Sequence, residues 1–122
     1  MMPKKVLIIE DDKSILQVLE NVLGFNNFEV IGINRTDDIL ETITKYNPDL
    51  VLTDYLLPGM NGGKICQLIK SNAATYHLPV ILISAYHELA ISLGSFGFDA
   101  FIPKPFDINN LVKTINKLLN SK

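Results

Sequence analysis

Two hydrophobic periodicities alternate along this chain, and that alternation narrows its folds more than any other feature. Short apolar runs rich in Val and Ile lie at residues 4–9, 28–33, 50–53, 79–84 and 100–102. Runs of this length and composition suit strands covered on both faces. Between them the apolar residues recur at helical spacing. Ile15, Leu19, Val22 and Leu23 mark the first such segment, and Ile39, Ile43 and Tyr46 the second. Thr36 is expected to cap the second, with Asp37 and Asp38 in its first turn. Ile65, Leu68 and Ile69 mark the third. Ile108, Leu111, Val112, Ile115, Leu118 and Leu119 mark the last, capped by Asp107. The fourth segment, residues 88–96, has a single charged residue and contains Ser92 and Gly94, which predicts a short or frayed helix. Strand and helix alternate five times. The expectation is an α/β fold: a (βα)5 doubly wound, five-stranded parallel sheet with helices on both faces.

A length of 122 residues predicts a single domain over residues 1–122, which should bury roughly two-thirds of its unfolded surface without disulfide or structural metal. The formal charge of -2 gives no reason to expect nucleic acid or an acidic membrane as a partner. The apolar run Val6-Leu7-Ile8-Ile9 stops at Glu10-Asp11-Asp12, too short for a signal core or a membrane span. The chain is therefore read as soluble and cytoplasmic, with no membrane insertion. Its one cysteine, Cys66, sits at core spacing and reads as a buried structural thiol.

In an open parallel sheet, ligands bind beyond the carboxyl ends of the strands. Here the first strand runs into Glu10-Asp11-Asp12, the second into Asn34 and Arg35, the third into Asp54, the fourth into Ser84 and the fifth into Lys104. Singly, each has an ordinary explanation: Asp12 as a helix cap, Ser84 and Lys104 as solvated side chains. Gathered on one edge, they read differently. Clustered acids repel unless a cation or proton intervenes. Carboxylates without a nearby His or Cys favour Mg²⁺. A carboxylate nucleophile, a Mg²⁺ pocket, a hydroxyl donor and a lysine ammonium are the parts that phosphoryl transfer onto aspartate requires.

Five motifs in order then carry a resemblance over essentially the whole chain: Val6-Leu7-Ile8-Ile9-Glu10-Asp11-Asp12, Pro48-Asp49-Leu50-Val51-Leu52-Thr53-Asp54, Leu57-Pro58-Gly59-Met60-Asn61-Gly62, Pro79-Val80-Ile81-Leu82-Ile83-Ser84-Ala85, and Phe101-Ile102-Pro103-Lys104-Pro105-Phe106. With these the chain resembles the response-regulator receiver domains of bacterial two-component systems. The resemblance implies the flavodoxin-like strand order 2-1-3-4-5. It implies that Asp54 accepts a phosphoryl group from a histidine kinase or histidine phosphotransfer protein. It makes Asp11 a direct Mg²⁺ ligand, has Glu10 act through water and gives Leu56 a ligating backbone carbonyl, with Mn²⁺ as a substitute ion. Ser84 matches the hydroxyl that moves onto the phosphoryl group, Lys104 the family's lysine, and Phe101 its switching aromatic. The Lys104-Pro105 bond is expected to be cis.

The implied output is a change in the surface made by the fourth helical segment, the fifth strand and the last helix. That surface would serve a downstream effector, an output domain absent from this chain or an activation-linked homodimer. Between Ser84 and Lys104 the chain is slightly shorter than the family pattern, and Phe101 lacks the hydroxyl of a tyrosine. Bulky Leu56 and Tyr86 flank the path of hydrolytic water, so slow self-dephosphorylation is expected; a Leu56→Asn, Tyr86→Ala double variant should hydrolyse faster. Met1 favours a natural start, leaving open a single-domain regulator or the receiver of a longer protein.

Rival readings are weaker. Gly62-Gly63-Lys64 lacks the first glycine and the Ser or Thr of a phosphate loop. Asp54-Tyr55-Leu56 lacks the second aspartate of a haloacid-dehalogenase-type phosphatase. An FMN carrier of the same fold would place its phosphate loop where three acids repel it. His77 and His87 read as surface residues. The remaining alternative is a non-phosphorylated pseudo-receiver that serves only for docking, against which Glu10, Asp11, Asp54, Ser84 and Lys104 all stand intact.

Overall fold

A computed structural model describes residues 3–85 and 97–120. The expected fourth helical segment, with Tyr86 and His87, lies outside the described residues. In chain order the elements are β1 (Lys5–Ile9), α1 (Lys13–Phe25), β2 (Glu29–Ile33), α2 (Ile39–Tyr46), β3 (Leu50–Asp54), α3 (Gly62–Lys70), β4 (Val80–Ser84), β5 (Ala100–Pro103) and α4 (Ile108–Asn120). All strand pairs are parallel, and the sheet order is β2-β1-β3-β4-β5, as expected. No helix among the described residues is long and apolar enough to cross a membrane.

Side chains alternate across a strand, so one apolar run can feed two cores. Val6 and Ile8 of β1, Leu50 and Leu52 of β3, Ile81 and Ile83 of β4 and Ile102 of β5 face one way. They pack with Leu19 and Leu23 of α1 and Leu111 and Ile115 of α4. Leu7, Ile9, Val51 and Val80 face the other way, against Ile39 and Ile43 of α2 and Ile65, Cys66 and Ile69 of α3. Helices thus cover both faces. Each fully buried Leu or Ile contributes roughly 1.5–3 kcal/mol.

The helix starts place the loops at the carboxyl edge. Asp12 caps α1, its side chain accepting from the amides of Ser14 and Ile15. Asn61 caps α3 through the Lys64 amide. Asp107 Oδ1 accepts from the amides of Asn109 and Asn110 at the start of α4, as expected. The α2 start differs from expectation. Asp38 is the cap, accepting from the Glu41 amide, and Thr36 lies two residues before that cap. Thr36 is held by a tertiary pairing with Gly59 and Asp37 by Arg35, and the cap falls to Asp38.

Candidate functional site

β1, β3, β4 and β5 are consecutive in the sheet, so their carboxyl ends bring together residues far apart in sequence. The registers align Ile9 with Thr53, Asp54 with Ile83, and Ser84 with Pro103. Asp54 is the last residue of β3 rather than the residue after it, and it is 9% exposed. Glu10 follows β1 and is 2% exposed, while Asp11 beside it is exposed.

Lys104 binds this cluster together. Its Nζ donates to Glu10 Oε1 at 2.9 Å and to Asp54 Oδ2 at 2.9 Å. The other Asp54 oxygen, Oδ1, accepts from the Tyr55 amide at 2.7 Å. Glu10 Oε2 accepts from the Asp12 amide at 3.2 Å. Every oxygen of the two buried carboxylates is therefore bonded and aimed. Ser84 is buried on the neighbouring strand, where its carbonyl accepts from the Lys104 amide at 2.9 Å. The Lys104-Pro105 bond is cis.

Burial pushes the Glu10 carboxyl above the ordinary carboxylate range, and the Asp54 charge adds to the rise. The Lys104 ammonium and the Asp12 amide only partly offset it. Burial opposes the Lys104 charge, but the hydrogen bonds to Glu10 and Asp54 outweigh it and raise the lysine above its usual value. One ammonium against three acids leaves the cluster short of positive charge.

The donor set fits a hard divalent cation. Glu10, Asp11 and Asp54 each offer a carboxylate oxygen, and these atoms all lie within 4.8 Å of one another. Leu56, whose carbonyl is the expected fourth ligand, stands in the loop after β3 and is 51% exposed. Phe101 is half-buried on β5, its ring tilted against Phe98 with centroids 6.3 Å apart. His77 is exposed and Cys66 fully buried.

Gly62 contributes more than its turn residues suggested. A Cβ at this position would run into the Asp54 carbonyl oxygen and lie 2.8 Å from both Tyr55 Cα and Leu82 Cδ1. The Gly62 amide donates to the Tyr55 carbonyl at 2.8 Å, closing the loop directly beneath Asp54. Beyond its place at the end of the Leu57–Gly62 motif, its signal in the sequence was a glycine at the first position of a helix, where ordinary propensity disfavours it.

Comparison with known proteins agrees with this geometry. A family model described as the response regulator receiver domain matches residues 6–116. The DNA-binding response regulator MtrA of Mycobacterium tuberculosis is 31% identical over 120 residues, covering 97% of this chain and 51% of that protein. The DNA-binding transcriptional regulator NtrC of Klebsiella pneumoniae is 31% identical over 115 residues, covering 93% of this chain and 24% of that protein. The chain thus spans about half the length of MtrA and about a quarter of NtrC. Among solved structures, a response regulator receiver domain protein from Clostridium thermocellum matches with TM-score 0.86 at 29% identity, covering 97% of this chain and 95% of that one. TrrA, a response regulator protein from Thermotoga maritima in complex with Mg²⁺-BeF, matches with TM-score 0.85 at 25% identity, covering 94% and 98%.

Proposed function

Since the chain belongs to the response regulator receiver domains of two-component systems, we infer that residues 1–122 act as one domain accepting a phosphoryl group on Asp54. The donor is a phosphohistidine on a partner kinase or phosphotransfer protein in the cytoplasm. The observation that carries this reading is Lys104 Nζ, 2.9 Å from both Glu10 and Asp54.

In the transfer, an Asp54 carboxylate oxygen forms a bond to phosphorus while the donor P–N bond breaks. The electron pair goes to the imidazole nitrogen, which takes up a proton. The Tyr55 amide fixes one Asp54 oxygen and so orients the carboxylate before the donor arrives. Lys104 already faces the reacting carboxylate, and its ammonium neutralises charge on the phosphoryl oxygens. Ser84, at the end of the adjacent strand, supplies the hydroxyl that hydrogen-bonds them. Glu10, Asp11, Asp54 and the Leu56 carbonyl would hold Mg²⁺, or Mn²⁺ in its place, which supplies the positive charge that three carboxylates and a phosphoryl group lack. The Mg²⁺-BeF complex of TrrA supports such a site here.

Phosphorylation adds roughly -1.5 to -2 of charge at Asp54. Drawing Ser84 toward that charge opens space beside β5 for the Phe101 ring, remodelling a surface read by an effector or an output domain. Beryllofluoride with Mg²⁺ should shift the amide resonances of Asp54, Ser84 and Phe101 in the wild type and leave an Asp54→Ala variant unchanged. Shifts at Asp54 without any at Phe101 would contradict the switch while leaving the acceptor in place.

A further inference from the structure

The loop after β3 carries Leu56, which is 51% exposed, while its loop neighbours Leu57 and Met60 pack against the core between the sheet and α2 and α3. Its inner end is closed by the Gly62 amide on the Tyr55 carbonyl. Its outer end meets the loop after β2. Thr36 and Gly59 form a parallel backbone bridge, and the Met60 amide donates to the Thr36 carbonyl at 3.2 Å.

We propose that this bridge is a strap that positions the Leu56 backbone for metal binding, with Thr36 and Gly59 as its positioning residues. The inference rests on the Mg²⁺ reading given above and goes beyond it, because neither residue belongs to the ligand set.

The strap is built from both sides. Thr36 is only 6% exposed although it lies in a loop. Its hydroxyl accepts from the Asp38 amide at 3.2 Å and lies 2.9 Å from the Thr42 hydroxyl. Thr42 spends its own proton on the Asp38 carbonyl, so Thr36 is the donor between the two. The bridge is thereby tied to the first turn of α2. On the other side, Gly59 adopts φ +73°, in the left-handed region. A Cβ there would lie 2.7 Å from Asp37 Oδ1, 2.9 Å from Arg35 Nη2 and 3.0 Å from the Thr36 carbonyl oxygen. Arg35 and Asp37, paired at 2.7 Å, close over the glycine. The Arg35 and Asp37 side chains could swing aside, but the Thr36 carbonyl and the positive φ make any side chain at position 59 strained where the two loops meet.

Groups that orient metal ligands without touching the ion typically contribute 10–100-fold to affinity. The test is Mg²⁺ titration of the full chain, followed through the amide shifts of Asp11, Asp54 and Leu56, with urea stability measured separately. Gly59→Ala should weaken Mg²⁺ about tenfold or more. Thr36→Val, which removes the hydroxyl bonds without adding bulk, should weaken it in the same direction and remains informative if the glycine variant fails to fold. Gly24→Ala is the control, since nothing lies within 4 Å of an added Cβ there. Variants that lose stability but bind Mg²⁺ like the wild type would overturn the strap, leaving the bridge purely structural. A wild type showing no saturable shift at the carboxylates would instead remove the Mg²⁺ reading, and the strap with it.

Discussion

Glu10 and Asp54 are buried acids of like charge, and a bare pair of that kind would be costly to hold ionised. Lys104 makes the arrangement tolerable by donating to both, at the expense of its own desolvation. Cys66 shows the opposite case, a titratable group with no charge to keep. Burial in the α3 core pushes its thiol from 9.0 to about 11, with the nearby Lys70 pulling down and Asp99 up. The folded state therefore holds the thiol proton more tightly than the unfolded state does. The thiol's share of stability is complete below pH 9, falls as the unfolded thiol ionises, and levels off above pH 11. The loss is roughly 3 kcal/mol. In urea unfolding at a series of pH values, the stability gap between wild type and Cys66→Ala should narrow across this window. Parallel curves would show that the thiol titrates alike in both states.

The strands were the most legible elements, because short runs of three to six mostly apolar residues rich in Val and Ile, closed by polar or turn residues, suit little else. Helix boundaries were less so. Thr36, Asp37 and Asp38 are three adjacent residues, each able to cap a helix, and local sequence has no means of choosing among them. In the fold Thr36 is held in the bridge to Gly59, more than twenty residues away, and Asp37 is paired with Arg35, leaving Asp38 to accept from the Glu41 amide. Asp38→Ala should accordingly cost about 1 kcal/mol in urea unfolding. Asp37→Ala, which removes only an exposed ion pair with Arg35, should cost well under that. Equal losses would mean that the α2 cap is shared.

At the scale of the molecule, the site was readable because a parallel sheet delivers every strand's carboxyl end to one edge. Glu10, Asp11, Asp54, Ser84 and Lys104 could be nominated from strand ends alone. Their contacts could not. Lys104 reaches Glu10 across 94 residues of sequence, and Gly62 lies under the Asp54 carbonyl through a loop whose path no local pattern specifies. The same limit hid the Thr36–Gly59 bridge, which joins two loops that are neighbours only once β1 has been inserted between β2 and β3. What the whole arrangement asserts is that one carboxylate, Asp54, is the acceptor. The direct measurement is intact mass after incubation with Mg²⁺ and acetyl phosphate, beside an Asp54→Ala control. The account predicts the gain of one phosphoryl group in the wild type, dependent on Mg²⁺ and absent from the variant. An equal gain in Asp54→Ala would contradict it, and so would a wild type that neither gains mass nor binds Mg²⁺, which is the behaviour of a docking module.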